Sequence, residues 1–330
     1  MGVAFDAPGR GDKAINDSIA AGLDRAKKEL GLCSGCIREL TGGKVETDSA
    51  KAERLRLLAQ GGYNPVIASS FAYAGAVATV AKEFPKVRFA IIDDATGGAN
   101  VINVLFSENE GSFLVGAAAA MKSKTGRLGF VGYCAAGDMV AYEAGFAAGA
   151  KVANPNVVVD ARYLTAAPGC LGTADAQAGT KTADAVYAAG ADVIFAGPGS
   201  FGAGVLASAK AKGKLMIGDG TDLYLTAPKD QQSAILTSMV NRTDVAVYRV
   251  VKSFVDGAPL TGVQTFGLST DGVGYSTSGG QIDDIKAKLD DLKQQIASGK
   301  TTVPDSPDSP DSPGAPSSDS GGDGGTVSVG

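Results

Sequence analysis

Short apolar runs alternate with segments of helical period from the first residues to about residue 255, and this alternation constrains the fold more than anything else in the chain. Gly2-Val3-Ala4-Phe5 is the first run and ends on Asp6. Ile15, Ile19, Leu23, Ala26 and Leu30 then fall at helical spacing, with Asp12 placed to cap the start and Gly31 to stop it. Residues 65–68 repeat the strand, followed by Ser69-Ser70 and an alanine-rich helix to about Phe84. Strands are expected over 88–92 and 101–106, then a helix of small residues over 110–122. The second half continues with strands over 128–133, 157–163, 193–196, 215–218 and 235–239. Helices are expected over 141–152, 173–189, 202–212 and 243–255, and a charged one over 282–297. Such alternation packs as α/β, with parallel sheets covered by helices on both faces. Ligands of such sheets sit at the carboxyl ends of the strands. That rule singles out Asp6, Ser69, Asp93, Tyr133, Gly197 and Asp219.

The remaining composition narrows the function. A chain of 330 residues, 44% apolar, fits two lobes better than one. Of its 35 acidic residues, Asp305, Asp308, Asp311, Asp319 and Asp323 follow Lys300, beyond which there is no lysine or arginine. The rest of the chain is therefore balanced, 30 acidic against 30 basic, which argues against a nucleic-acid partner. There is no histidine, which removes imidazole acid–base chemistry, Ser-His-Asp triads and His-based metal sites. No apolar run of about 20 residues is present to span a membrane. Met1 stands directly on the first strand. Two expectations follow: a cytoplasmic chain, or an exported one whose signal is trimmed or lies upstream. Cys33 and Cys36 form a lone C-x-x-C, read as a local disulfide or two quiet thiols. Residues 301–330 repeat Pro-Asp-Ser with almost no apolar side chain and are expected to be disordered.

Two glycine-rich stretches need weighing. GPGSFG, residues 197–202, matches G-x-G-x-x-G between a strand and a helix. Pro198 removes a backbone donor where phosphate would sit, so the better reading is a tight turn that brings Gly197 and Gly199 close to a neutral ligand. FDAPGRGD, residues 5–12, is similar to the metal loop of calcium-dependent nucleoside hydrolases, but Ala4 and Gly11 stand where aspartates are needed. Asp6, Asp12, Asp17, Asp93 and Asp94 remain as candidates for a metal or for accepting ligand hydroxyls. Glu110, Gly111 and Phe113 are read as structural.

Several stretches together resemble one family. They are GDKAIND (11–17), FAIIDD (89–94), FSENEGSFLVGAAAAMKSKTGRLGFVG (106–132), YEAGFAAGAKVANPNVVV (142–159), GADVIFAGPGSFGAGV (190–205) and ILTSMVNRTDVAVY (235–248). They resemble the basic membrane protein family of solute-binding proteins, of the purine-nucleoside-receptor type. The resemblance runs from residue 2 to about 275. It implies a type I periplasmic-binding-protein fold: two Rossmann-like lobes with parallel sheets, joined by hinge crossovers. The lobes are placed at 1–106 plus 236–258 and at 107–235 plus 259–300, with 301–330 as a tail. It also implies a monomeric, non-enzymatic receptor without cofactor or metal. Such a receptor is lipid-anchored outside the cytoplasm and hands a small polar solute to an ABC transporter permease. The extracytoplasmic setting makes a Cys134–Cys170 disulfide an expectation, since both follow neighbouring strands.

The family's ligand residues carry over unevenly. Its first-strand aspartate matches Asp6, and the asparagine of its D-K-S-F-N segment matches Asn16, but Ile15 replaces the stacking phenylalanine. The loop over 165–172, which holds a second stacking ring in the family, has no aromatic. Gly220 stands where the family has an aspartate, and Asn241 where it has a lysine. Phe71, Tyr73, Tyr133, Tyr163 and Phe201 are the candidates to replace the missing rings. The expected ligand set is Asp6, Asn16, Ser69 and Asp93 from one side, and Gly197, Gly199, Asp219, Asp222 and Asn241 from the other. The expected solute is neutral and hydroxyl-rich, a purine nucleoside first. A sugar or other polar metabolite, or a metal-dependent nucleoside hydrolase, is the rival reading.

Overall fold

The computed structural model describes residues 1–33, 35–165, 170 and 174–307. The strands are β1 (Gly2–Phe5), β2 (Arg38–Thr41), β3 (Val66–Ala68), β4 (Phe89–Ile92), β5 (Val101–Phe106), β6 (Arg127–Cys134), β7 (Val158–Thr165), β8 (Val193–Ala196), β9 (Leu215–Gly218), β10 (Ile235–Asn241), β11 (Gly262–Phe266) and β12 (Val273–Tyr275). The helices are α1 (Ile15–Glu29), α2 (Asp48–Gln60), α3 (Ala74–Glu83), α4 (Glu108–Lys122), α5 (Asp138–Ala153), α6 (Ala176–Ala188), α7 (Gly202–Lys212), α8 (Leu223–Thr226), α9 (Thr243–Val255) and α10 (Lys286–Ala297). The strands form two six-stranded sheets, ordered β11-β5-β4-β3-β1-β2 and β12-β10-β9-β8-β6-β7. Among the described residues only the β10–β12 pairing is antiparallel. Each sheet is the floor of one lobe, as the alternating pattern requires.

Local chemistry sets the elements. All four residues of β1 are buried, as are those of β4 and β8, so these strands read as continuous apolar runs. The Asp12 carboxylate accepts from the backbone N–H groups of Ala14, Asn16 and Asp17 at 2.8, 3.0 and 3.0 Å, which satisfies the free donors at the start of α1. Gly31, at φ +66, leaves the helix at its far end. Five elements had no signature in the sequence: β2, α2, α8, β11 and β12. β2 and β11 lie at the edges of the first sheet with mixed exposure, so neither carries an apolar run. α2 buries Leu55 and Leu58 but leaves Leu57 exposed, which blurs its period.

The sheets divide the chain at other points than the sequence reading did. β10 pairs in parallel with β9, which puts 235–241 in the second lobe. β11 pairs with β5 over Gly262–Phe266, which returns that segment to the first. Between them α9 packs on α1: Val247, Val250 and Val251 share a core with Ile19 and Leu23. A Cβ on Gly22 would lie 2.5 Å from the Asp244 carbonyl oxygen, so glycine there permits the close approach. α10 serves both lobes, with Leu289 in the core of the second and Ile296 in that of the first. The chain therefore crosses after Phe106, after Asn241 and after Phe266.

The start of the expected disordered tail is also corrected. Val303 is 8% exposed and packs in the first core, and the Asn109 amide donates to the Val303 and Pro304 carbonyls at 3.1 and 3.4 Å. One apolar residue and two satisfied carbonyls hold 301–307 in place. Residues 308–330 lie outside the described residues. Cys33–Cys36 and Cys134–Cys170 are both disulfides, with Cα separations of 5.1 and 5.4 Å. Among the described residues no helix is long and apolar enough to cross a membrane.

Candidate functional site

A cavity of about 610 Å³ lies between the carboxyl ends of the two sheets. Most of the groups that line it are delivered by a strand end or the turn after it, and Ile15, Asp138, Tyr142 and Thr243 by the first turns of helices. The first lobe contributes Phe71 after β3, Asp93 after β4 and Phe106 at the end of β5. The second contributes Tyr133 near the end of β6, the loop 198–201 after β8, and Asp219 after β9. Asp138 opens α5 and Tyr142 follows one turn later, so both present to the same side. Phe106 and Asn241 end the strands from which two of the crossovers leave, so the cavity sits against the hinge.

The walls combine aromatic faces with acceptors. Phe71 is 64% exposed, an unusual state for a large apolar ring and one that leaves a face free for a ligand. Tyr142 is almost fully buried, and its hydroxyl bonds to the Asp219 carboxyl. Burial pushes the Tyr142 hydroxyl well above its ordinary range, so it acts as a neutral donor. Burial raises Asp219 to about 8, with Asp93 and Asp138 adding like-charge repulsion. Glu108, at the start of α4, is raised to about 8 by the same causes. Desolvation raises Asp93 as well, helped by Asp138 and Asp94; the group faces cleft water but is ringed by protein. No lysine or arginine lines the cavity among the described residues. Asp219 Oδ1 and Asn241 Oδ1 are shielded from water and accept no hydrogen bond. No three histidine, cysteine, aspartate or glutamate side chains are grouped to hold a metal ion among the described residues.

The expected site residues separate into three groups. Asp93, Gly199, Asp219 and Asn241 line the cavity. Asp6, Asn16 and Ser69 form a cluster behind it. The Ser69 hydroxyl accepts from the Asp6 N–H at 2.9 Å and donates to its carboxylate at 3.0 Å, and Ser70 donates to the same oxygen at 2.5 Å. Asn16 donates to the Asp6 carbonyl at 3.3 Å, while its buried Oδ1 has no partner. Ser69 is fully buried and positions Asp6 rather than reaching outward. Gly197 lines a neighbouring cavity of about 510 Å³ that shares Pro198, Gly199 and Asp219 with the first. Asp222 lies in neither lining: its carboxylate caps α8 through the Tyr224 N–H at 3.2 Å and accepts from the Ser278 hydroxyl. A short helix starting three residues after Gly220 turns that carboxylate onto its own backbone. Asp12, Asp17 and Asp94 are likewise occupied by local backbone donors.

Of the candidate replacement rings, Phe71, Tyr133 and Phe201 line the cavity. Tyr73 instead donates to the Phe5 carbonyl, and Tyr163 bonds Glu143. Apart from Cys170, residues 166–172 of the loop lie outside the described residues. Sequence reasoning missed Phe106, Asp138, Tyr142 and Thr243. Asp138 had a usable signal, because it follows Gly137 between a strand end and a helix, where ligands of such sheets bind. Glu110 accepts from the Leu268 N–H at 2.5 Å and has the structural role expected of it.

A family model described as ABC transporter substrate-binding protein, PnrA-like, matches residues 2–307. The CD4+ T-cell-stimulating antigen of Listeria innocua is 31% identical over 92% of this chain and 88% of its own length. The ABC transporter nucleoside-binding protein BmpA of Lactococcus lactis is 29% identical over the same shares. A solved ABC transporter solute-binding protein from Aeropyrum pernix superposes with a TM-score of 0.65, at 25% identity, over 92% of this chain and 93% of that one.

Proposed function

The chain belongs to the Bmp family of PnrA-like ABC transporter substrate-binding proteins, and from that premise we propose that it captures a nucleoside or nucleoside-sized polar solute between its lobes for an ABC importer. The observation that carries this reading is the cavity at the hinge, with aromatic faces on both sides and acceptors at its floor. Phe71 and Tyr133 stand where a flat base can be held, in place of the ring that Ile15 does not supply. Asp219 and Asn241 offer acceptors to ligand hydroxyls or amino groups. Hinge closure about the crossovers at Phe106 and Asn241 would enclose the solute. Asp6 and Asn16, with Ser69 holding Asp6 in place, support the first lobe's side of the cleft without lining the cavity. The protein works as a monomer and binds without turnover. Two disulfides fit an oxidising, extracytoplasmic setting in which a lipid anchor keeps the receptor beside its permease.

Thermal unfolding against adenosine, guanosine, inosine, pyrimidine nucleosides and simple sugars tests the reading. A solute that binds only the folded state raises the midpoint once its concentration passes its dissociation constant. A nucleoside-dependent rise supports the proposal. No rise with any nucleoside, alongside one with a sugar, overturns the nucleoside reading and leaves the receptor.

A further inference from the structure

We propose that the solute bears a positively charged nitrogen, an ammonium or a guanidinium, held among Asp93, Asp138 and Asp219. The inference rests on the cleft being the ligand site and adds the charge of what fills it.

Three observations converge. The first is acid without a basic partner: three carboxyl groups line the cavity, Glu108 stands close enough to interact with all of them, and among the described residues no cationic side chain lines it. Elsewhere the acids of this protein find partners: Asp24 and Glu39 meet Arg10, Glu46 meets Arg54, and Asp271 meets Arg242 and Lys293. The second is unused acceptor capacity. Asp219 Oδ1 and Asn241 Oδ1 are buried without a donor, and such atoms are costly to leave unpaired. An ammonium or guanidinium is all donor and no acceptor, which is the complement of these two oxygens. The third is the surroundings: Phe71, 64% exposed, presents a free ring in the same lining, and aromatic faces attract an organic cation. A metal ion would serve less well, since among the described residues no three acidic groups stand close enough together to ligate one. An organic cation reaches separated acceptors in turn.

A proton balance follows. Before ligand arrives, Asp219 and Glu108, each raised to about 8, retain protons near neutrality. A bound cation favours their ionised form, so binding releases protons. A neutral solute that bonds to protonated carboxyls releases none.

The test uses matched pairs titrated calorimetrically into the full chain near neutral pH, in two buffers of different ionisation heat. The pairs are adenosine and its analogue with an amine replacing the terminal ribose hydroxyl, glucose and glucosamine, and 2-(4-hydroxyphenyl)ethanol and tyramine. The expected result is that in at least one pair the cationic member binds about tenfold tighter or better and releases protons, as a favourable charge contact requires. That preference should fall about tenfold in Asp219→Asn and in Asp138→Asn, two variants made so that one folding failure does not decide the matter. The proposal is overturned if no cationic member binds at millimolar concentration, if neutral members bind as tightly, or if the preference survives both substitutions. An amine that binds when neither nucleoside does sinks the nucleoside reading and keeps this one. A neutral nucleoside bound without any cationic preference does the reverse.

Discussion

Replacing Asp219 by asparagine should make the ligand-free protein less sensitive to alkali, and the size of the effect follows from the site. Asp219 follows β9 with one carboxyl oxygen shielded and unpaired, and with Asp93 and Asp138 close by. Its ordinary value is 3.8 and its value in the folded protein about 8. A carboxyl raised on folding contributes stability that is fully present below the unfolded value and is lost as pH rises through the folded one. Between about pH 5 and 7 the folded protein holds one more proton here than the unfolded chain, which costs about 1.4 kcal/mol per pH unit, or roughly 2–3 kcal/mol across that window. Asparagine does not titrate. The stability of Asp219→Asn relative to the parent should therefore rise by about that amount from pH 5 to 7. Carboxylates held low by basic partners, such as Asp24 beside Arg10 and Glu46 beside Arg54, titrate alike in both proteins and cancel in the difference. Urea unfolding followed by far-ultraviolet circular dichroism is the assay, since the chain has no tryptophan. A difference that stays flat from about pH 5 to 8 would mean that Asp219 is ionised throughout, and would refute the picture of a desolvated, crowded carboxyl.

Three further outcomes test other parts of the structure. Gly149→Ala would put a Cβ 1.9 Å from the Phe113 carbonyl oxygen, forcing α5 off α4; the expected cost is about 1–3 kcal/mol in thermal unfolding. Gly274→Ala, with no atom within 4 Å, is the control, and equal midpoints would refute the close helix contact. Replacing Cys134 and Cys170 together by serine opens a link across 36 residues, at a cost of about 4 kcal/mol by chain entropy; unchanged urea stability would argue that the cross-link constrains nothing. Phe71→Ala should leave stability nearly intact, because its ring is exposed, yet cost about 1–3 kcal/mol in affinity for a base-bearing ligand. Full affinity in that variant would place the ligand elsewhere.

Some of this protein was legible in its sequence because the relevant physics is local. A strand buried on both faces must be a continuous apolar run, and Phe89–Ile92 and Val193–Ala196 read as such. A helix with one buried stripe must repeat near every fourth residue, and α1 and α9 do. The carboxyl-end rule turned those strands into a short roster that already held Asp93 and Asp219. Edge strands escaped, because β2 and β11 are half-solvated and need no apolar run. The lobe boundaries escaped too. Whether Ile235–Asn241 joins one sheet or the other depends on which strand it pairs with, and its own residues do not encode that.

The site divides along the same line. Sequence determined that carboxylates and glycines would gather at strand ends. Only the tertiary structure decided which of them face the cavity. Asp219 and Asp222 lie three residues apart, and both are flanked by turn residues. The first is left buried with an unpaired oxygen; the second caps α8 and bonds Ser278, 56 residues away. Tyr142 and Asp138 join the site because α5 begins where β6 ends, across the cleft from Asp93. Charge can be counted along a chain, but desolvation and repulsion between groups depend on distances set by packing two sheets against one hinge.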